Sequence, residues 1–291
     1  MPYATAKDGT KLFYKDWGKG KPVVLMHGWP LTGDTFDDLG IALADKGYRA
    51  IITDRRGFGR SDQPWDGNDY DTYTEDVAAI LDDAGISGPA AMVGFSMGGG
   101  EVARFQTKYP GRTSAAVLIG AVVPYMLQTG DNPAGVPQST FDEMTAGMKK
   151  DRERFFTGFF KDFYGVGTLS SSVSDEVLMN SWRQAMLSGT HNMLAAAKAF
   201  ASTDFRPDLA SFDTPTLVIH GTADKTVPID ATGRVSASQI AGAKLIEYDG
   251  SAHGLFATDK QRLIDDVVNF LDASLSTGSD TRMAIPLSQT T

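Results

Sequence analysis

Short apolar runs alternate with helical patterns along most of the chain. Val23–Met26, Tyr48–Thr53 and Thr216–His220 are predicted strands buried on both faces, because they are mostly apolar instead of alternating between polar and apolar residues. The segments between such strands carry apolar residues three and four positions apart, as in Val77–Ala84, which is the spacing of one helix face. Strands that alternate with helices predict a mostly parallel sheet flanked by helices, and hence an α/β fold.

The same patterns give approximate boundaries for the elements. The expected strands are Tyr3–Ala6, Lys11–Trp17, Val23–Met26, Tyr48–Thr53, Ala90–Val93, Ser114–Ile119, Thr216–His220 and Lys244–Tyr248. One helix is expected to begin at the capping-box pattern Thr72–Glu75. The other expected core helices are Asp34–Lys46, Glu101–Tyr109, Ile229–Ala237 and Asp259–Leu271.

The alternation stops at Pro124 and returns near Phe205. The intervening residues are rich in Phe, Met and Trp at helical spacing and give no strand signal. A helical insertion within an α/β core is therefore expected. The predicted division is 1–122 and 206–275 for the α/β core, 123–205 for a helical cap and 276–291 for a polar C-terminal tail.

Acidic residues outnumber basic ones by 36 to 27, which gives a formal net charge of −9. A chain of this charge repels nucleic-acid phosphates and anionic membrane surfaces, so we expect neither as a partner. No apolar run approaches the length of a membrane span, and Met1–Asp8 lacks the apolar core of a signal peptide. The sequence therefore predicts a soluble, cytoplasmic protein.

The chain contains no cysteine and only four histidines. Disulfides, thiolate metal sites and a cysteine nucleophile are therefore excluded. The histidines show no metal-ligand spacing, and no glycine-rich dinucleotide or phosphate-binding motif is present. We therefore expect no metal and no other cofactor.

Gly94–Gly98 has the pattern G-x-S-x-G, with Ser96 at its centre. It follows the expected strand Ala90–Val93 and precedes an expected helix, which is the context of a nucleophile elbow. Small residues around the serine permit the sharp turn that projects its hydroxyl into a cleft. The alternative is a glycine-rich turn in which the serine has no chemical role.

A nucleophilic serine needs a base, and His253 is the histidine that fits. In hydrolases that carry a nucleophile elbow, the chain order is serine, acid and then histidine. Asp224 follows a strand and lies between Ser96 and His253 in the chain. Asp224 would fix the imidazole tautomer and stabilise the imidazolium. The alternatives are that Asp224 only caps a helix and that His253 is an ordinary loop histidine. The reserve acids are Asp204, Asp208 and Asp249.

Acyl transfer also needs two N–H donors for the developing oxyanion. The backbone N–H of Met97 directly follows the serine, and that of Trp29 lies in the loop after the strand Val23–Met26. Pro30 has no N–H and cannot serve. His27 is expected to shape this loop through hydrogen bonds, and an ion pair is expected beside it from Arg55.

Side chains of the helical insertion are expected to form one wall of the pocket beside the serine. Its aromatic residues, such as Phe159 and Trp182, are predicted to pack mainly in the interior of the insertion, with some lining the acyl pocket. The residues expected to contact substrate are Leu127, Phe160 and Val227.

Three motifs resemble a known family. His27–Pro30, Asp54–Ser61 and Gly94–Glu101 are similar to motifs of the α/β-hydrolase fold, and more narrowly of its cofactor-free bacterial haloperoxidase or aryl esterase/perhydrolase group. The resemblance covers Tyr3–Leu275. It implies a triad and an oxyanion hole, and it assigns them as Ser96, Asp224 and His253 for the triad and Trp29 and Met97 for the hole.

The resemblance also implies an activity. Enzymes of this group hydrolyse aryl and alkyl esters through a serine acyl-enzyme, and attack by hydrogen peroxide instead of water releases a peracid that oxidises halide without metal or haem. In the perhydrolase group a proline at the position of Pro30 accompanies a backbone carbonyl that accepts a hydrogen bond from the peroxide. A homo-oligomer is also expected from the resemblance.

Two alternatives remain open at this point. The same triad could hydrolyse a lactone, or a cyclic amide such as a γ-lactam, instead of an ester. A less favoured alternative is a hydrolase-fold receptor that binds a ligand and turns it over slowly. Haloalkane dehalogenases and epoxide hydrolases are disfavoured, because they carry an aspartate where Ser96 stands.

Overall fold

A computed structural model describes residues 2–167 and 172–275, and its centre is a single eight-stranded sheet. The strands lie in the order β1-β2-β4-β3-β5-β6-β7-β8. Their bounds are β1 (Tyr3–Thr5), β2 (Lys11–Gly18), β3 (Lys21–Met26), β4 (Tyr48–Thr53), β5 (Ala90–Phe95), β6 (Thr113–Ile119), β7 (Thr216–Gly221) and β8 (Lys244–Tyr248). The pairs β1–β2 and β2–β4 are antiparallel, and all other neighbours are parallel.

Nine α-helices lie in the described part of the chain. They are α1 (Asp37–Asp45), α2 (Tyr70–Asp83), α3 (Met97–Lys108), α4 (Gln138–Phe163), α5 (Asp175–Leu187), α6 (Thr190–Ser202), α7 (Gly233–Gln239), α8 (Leu255–Thr258) and α9 (Lys260–Leu275). Helix α1 packs on β4 and contacts α9, which packs on β6, while α2 contacts α3, which packs on β5. The predicted α/β class and mostly parallel sheet are confirmed. The predicted tail, 276–291, lies outside the described residues.

The central strands are buried because both faces are covered. Every residue of β5 and β7 is buried, as the apolar runs predicted for strands in a parallel sheet. Because β3, β5, β7 and β8 run parallel to one another, their carboxyl ends lie at the same edge of the sheet, where the loops that follow them converge. This is the edge at which open α/β sheets form their binding sites.

The helix starts differ from those expected. Helix α1 begins at Asp37 instead of Asp34, α3 at Met97 instead of Glu101 and α9 at Lys260 instead of Asp259. Helix α2 begins at Tyr70, not at Thr72, because the side chain of Asp69 is the N-cap and accepts a hydrogen bond from the backbone N–H of Thr72 at 3.0 Å. The capping-box prediction was therefore wrong. Helix α7 begins at Gly233 instead of Ile229, since the residues before it form turns such as the hydrogen bond from Ala231 N to Pro228 O.

Three helices, α4, α5 and α6, lie between β6 and β7 in the chain. Helix α4 consists of two helical segments that meet at Asp151, whose φ of −164° and ψ of 88° are not helical. The Asp151 carboxylate accepts a hydrogen bond from Arg154 N at 2.9 Å and so caps the second segment. Among the described residues, no helix combines the length and the apolar character needed to cross a membrane.

Candidate active site

Ser96 lies in the sharp turn between β5 and α3. Its φ is 52° and its ψ is −117°, and among the described residues it is the only non-glycine residue with a positive φ. A Cβ on Gly94 would come within 2.4 Å of the carbonyl oxygen of Gly98, and a Cβ on Gly98 within 2.1 Å of the carbonyl oxygen of Met26. The two glycines of the motif are therefore required by the close approach of backbone on either side of the serine.

Backbone hydrogen bonds hold this strained turn. The N–H of Ser96 donates to Ile119 O at 2.8 Å, and the carbonyl of Ser96 accepts from Gly99 N at 3.0 Å and from Val122 N at 3.2 Å. Strain of this kind persists only where the surrounding structure fixes it, and it is typical of functional sites. The nearly buried side chain of Ser96 lies on the wall of a cavity.

Asp224 lies in the loop after β7 and is buried. Its Oδ1 accepts hydrogen bonds from the backbone N–H groups of Thr226 at 2.9 Å and Val227 at 2.8 Å. Its Oδ2 lies 2.5 Å from Nδ1 of His253 and 3.3 Å from Nε2 of His220. Burial opposes ionisation of this carboxyl, but the two histidines outweigh burial and hold the pKa of Asp224 below its usual range.

His253 lies between β8 and α8, with its ring enclosed by two aromatic side chains. The ring centre is 4.9 Å from that of Phe95 and 4.8 Å from that of Phe163. Because the ionised carboxylate of Asp224 can only accept, Nδ1 of His253 is the donor in their contact. The opposite ring nitrogen, Nε2, is buried and has no hydrogen-bond partner in the described part of the chain. It is therefore free to accept a proton.

The loop that follows β3 passes close to the serine. A Cβ on Gly28 would lie 2.9 Å from the Cβ of Ser96, so only glycine permits this approach. Neither the backbone N–H of Trp29 nor that of Met97 donates a hydrogen bond within residues 2–167 and 172–275. Within these residues, both N–H groups that the sequence suggested for an oxyanion hole are therefore left without an acceptor.

His27 shapes this loop. Its Nε2 accepts a hydrogen bond from Arg55 N at 3.0 Å, and its Nδ1 donates to Gly28 O at 2.9 Å. Burial and the nearby Arg55 guanidinium lower the pKa of His27 well below its usual range. A neutral histidine with both nitrogens engaged in the protein fits a loop-shaping residue, and it is not the base.

A cavity of about 670 Å³ opens beside Ser96. Its lining residues are Trp29, Ser96, Val122, Met126, Val136, Thr140, Phe141, Met144, Phe155, Gly158, Phe159, Asp162, Phe200, Lys225, Thr226 and Val227. Most are apolar or aromatic, and they come from both the core and the helices between β6 and β7. Such a surface is suited to an apolar organic substrate.

Of the three residues expected to contact substrate, Val227 lines this cavity. Phe160 does not, because it is buried among Phe156, Phe163 and Tyr164, and its neighbour Phe159 faces the cavity instead. Leu127 also lies off the cavity: it forms a β-bridge with Val136, and the preceding residue, Met126, lines the wall. The structure therefore places two of the three residues off this cavity, and in each case the preceding residue lies on its wall.

Sequence reasoning missed the two rings that enclose His253 and the second histidine on Asp224. Phe95 lies within the serine motif, so its position near the site could have been inferred from the sequence. Phe163 is about ninety residues from His253 in the sequence, and no local pattern connects the two. Nothing in the local pattern distinguishes His220 from an ordinary strand-end residue. Within the described residues, no group of three or more histidine, aspartate or glutamate side chains is arranged to hold a metal ion.

Comparison with known proteins agrees with this architecture. Residues 21–260 match the alpha/beta hydrolase fold family. A non-heme chloroperoxidase of Kitasatospora aureofaciens is 42% identical over 275 residues, which cover 94% of this chain and 100% of that protein. A bifunctional esterase/perhydrolase of Acinetobacter calcoaceticus is 41% identical over 275 residues, which cover 93% of this chain and 99% of that protein.

A solved structure supports the same relationship. The crystal structure of a bromoperoxidase from Bacillus anthracis matches with a TM-score of 0.88 and 39% identity, over 93% of this chain and 100% of that chain. The family expected from the sequence is thus confirmed. The chain belongs to the α/β hydrolase fold family of enzymes, within its group of non-heme haloperoxidases and esterase/perhydrolases.

Proposed function

We propose that this protein is a serine hydrolase that cleaves small aryl and alkyl carboxylic esters through an acyl-enzyme, and that it also transfers the acyl group to hydrogen peroxide. The observation that carries the proposal is the contact of 2.5 Å between His253 Nδ1 and Asp224 Oδ2, with His253 Nε2 buried and without a hydrogen-bond partner among the described residues. Ser96 lines the cavity in a strained turn, directly after Phe95, whose ring centre lies 4.9 Å from that of His253.

In the acylation step, the hydroxyl oxygen of Ser96 attacks the ester carbonyl carbon. Nε2 of His253 takes the hydroxyl proton, and the ionised carboxylate of Asp224 stabilises the resulting imidazolium. The imidazolium then returns its proton to the departing alcohol oxygen as the carbon–oxygen bond breaks. The low pKa of Asp224 keeps its carboxylate charged throughout, which supports this role.

The tetrahedral intermediate carries a negative oxygen that needs donors. The backbone N–H groups of Trp29 and Met97 are assigned to it, since neither has a hydrogen-bond acceptor among the residues that the structure describes. The close approach of Gly28 to Ser96 brings the Trp29 loop near the reacting centre. Each such donor contributes on the order of 10²-fold or more to the rate.

In the deacylation step, His253 removes a proton from water or from hydrogen peroxide, and the oxygen attacks the acyl carbon. Ser96 leaves with the proton held by the imidazole. Water gives a carboxylic acid, and hydrogen peroxide gives a peracid. The peracid transfers one oxygen atom to a halide ion, which forms hypohalous acid and leaves the carboxylate, so the protein needs no redox group for the halide oxidation.

The proposal is tested by measuring product formation from a chromogenic aryl ester, a lactone and a γ-lactam, each with and without hydrogen peroxide. We expect the ester to be hydrolysed, peracid to form with peroxide, and both activities to survive exhaustive chelation but not a serine-directed sulfonyl fluoride. Faster turnover of the lactone or lactam would assign the same triad to ring opening. Saturable binding without turnover of any of the three would instead indicate a receptor.

A further inference from the structure

Asp224 is held by two histidines, and only one of them belongs to the proposed triad. His220, the fully buried residue near the end of β7, has its Nε2 3.3 Å from Asp224 Oδ2, the same oxygen that contacts His253. The same Nε2 lies 2.9 Å from the carbonyl oxygen of Val227. His220 thus bridges the triad acid and a residue of the cavity wall.

The surroundings of His220 fix which nitrogen carries its hydrogen. A backbone carbonyl can only accept, so the contact with Val227 requires a hydrogen on Nε2. Nδ1 is buried and has no partner within the described residues, so a second proton there would be an unsatisfied buried donor. The backbone of helix α7 packs against this side, where a Cβ on Gly233 would lie 2.6 Å from Nδ1. The ring is therefore held in one tautomer and one position.

His220 also bears on the Asp224 carboxylate. Thr226 N and Val227 N donate to Oδ1, and His253 Nδ1 donates to Oδ2. His220 Nε2 lies 3.3 Å from the same Oδ2, so the hydrogen that it donates to Val227 O at 2.9 Å also faces this oxygen at longer range. A donor to a carboxylate oxygen withdraws part of its negative charge. The His220 hydrogen therefore competes with His253 for the same oxygen.

We propose that His220 is a positioning residue that sets how strongly Asp224 acts on His253, by sharing the oxygen that the catalytic imidazole contacts. The inference rests on the proposed function, because it assumes that His253 is the base. It goes beyond that function by giving a catalytic consequence to a histidine outside the triad. It also couples the acid to the Val227 segment of the cavity wall.

Other charged groups near His220 do not take over this role. On the neighbouring strand, Glu247 lies opposite His220 in register, but its carboxylate is held by the Arg234 guanidinium at 2.8 and 2.7 Å. Asp230, in the turn before α7, also contacts Arg234, at 2.6 Å. Asp224 is therefore the ionised group that His220 directly contacts.

The direction of the effect follows from the competition at Oδ2. Loss of the His220 hydrogen leaves more negative charge facing His253 and favours its protonated form. Because the base must be neutral, the rise of kcat/KM with pH should then occur at higher pH. We expect the midpoint of this rise to move up by about half a pH unit, the size expected from one modest hydrogen bond. If His220 had only a structural role, its substitution would lower the rate by the same factor at every pH.

The experiment measures kcat/KM for a chromogenic aryl ester in matched variants. The pH runs from about 5 to 9, which spans the titration of histidine. His220→Leu removes the donor at similar volume. His220→Asn keeps a polar side chain that is too short to reach Asp224, and it serves if the leucine variant does not fold. In His220→Gln the amide nitrogen can occupy the position of Nε2 and donate without titrating. Ser236→Ala is the control, since it removes a buried hydrogen bond of 2.7 Å to Val123 O without touching Asp224.

The predicted result is an upward shift in His220→Leu and His220→Asn, and a midpoint close to that of the wild type in His220→Gln and Ser236→Ala. A wild-type midpoint in the first two variants would overturn the inference, as would an equal shift in His220→Gln. Ser96→Ala is assayed alongside. If it abolishes activity while the His220 variants show no shift, only this inference fails; if it stays active, the proposed function fails.

Discussion

The buried guanidinium of Arg55 forms an ion pair with the carboxylate of Glu101. Nε of Arg55 lies 3.0 Å from Oε1 of Glu101, and Nη2 contacts Oε2. Nη2 also donates to the backbone carbonyl of His27 at 2.6 Å. Glu101 stands in α3, the helix that begins directly after Ser96, so this pair ties the candidate oxyanion loop to the candidate nucleophile.

Removing one member of this pair should be costly. Glu101→Ala leaves the fully buried Arg55 charge without its partner, and such changes typically cost about 3–5 kcal/mol of unfolding free energy. Lys7→Ala is the matched control, because its ion pair with Glu75 is largely exposed and screened by water, so little change is expected. Urea denaturation of both variants measures the difference. Equal, small effects would show that the buried pair does not hold the two segments together.

Filling the cavity should change substrate size preference. Gly158 lines the cavity, lies within α4, and has open space where a side chain would project. Gly158→Leu improves helix propensity and occupies cavity volume. We expect kcat/KM for a long-chain or bulky aryl ester to fall by roughly 10-fold or more, and kcat/KM for an acetate ester to change little. The control Gly158→Ala should affect both substrates slightly, and parallel losses for both in Gly158→Leu would argue against this cavity as the substrate site.

Pro30 should matter more for peroxide than for water. It follows Trp29, whose carbonyl accepts no hydrogen bond in the described part of the chain. That carbonyl is available to accept the second O–H of hydrogen peroxide, and the fixed φ of Pro30 restrains the loop that holds it. One such hydrogen bond is worth about 0.5–1.5 kcal/mol, so Pro30→Leu should lower the ratio of perhydrolysis to hydrolysis by roughly 3- to 10-fold. An unchanged ratio, with both rates measured under matched conditions, would leave Pro30 only a stiffening role.

Asp224 should also contribute to stability in a pH-dependent way. Its contacts with His253 and His220 outweigh burial and lower its pKa in the folded state. A depressed carboxyl pKa stabilises the fold above the unfolded value, about 3.9, and that contribution is lost as pH falls through the folded-state pKa. The excess stability of wild type over Asp224→Asn should therefore be largest near neutral pH and shrink below about pH 4. Urea unfolding at several pH values measures it, and a constant difference would contradict the assignment.

Sequence patterns predicted the sheet and the loops that carry Ser96, Asp224 and His253. They succeeded there because buried parallel strands are continuous apolar runs, and because these loops must begin where the strands end. Chain order then selected Asp224 and His253, which the structure brings into contact. The catalytic roles of the three residues stay predictions.

Finer features depended on geometry that no local pattern contains. Phe159 and Phe160 are adjacent and chemically identical, and only the rotation of α4 against the core decides which of them faces the cavity. Asp69 and Thr72 are both good N-caps, and the choice between them depends on the extended backbone at Asp69. The contact of His220 with Asp224 depends on how the loop after β7 folds back on its own strand.

The central claim is that Ser96 carries the acyl group, and the most direct measurement is the intact mass of the protein during turnover of an aryl ester, followed by peptide mapping. We predict that the mass rises by one acyl group on the peptide that contains Ser96, and that Ser96→Ala keeps its fold, shows no adduct and loses activity by about 10⁴-fold or more. An adduct on a different residue, or full activity in purified Ser96→Ala, would contradict the account.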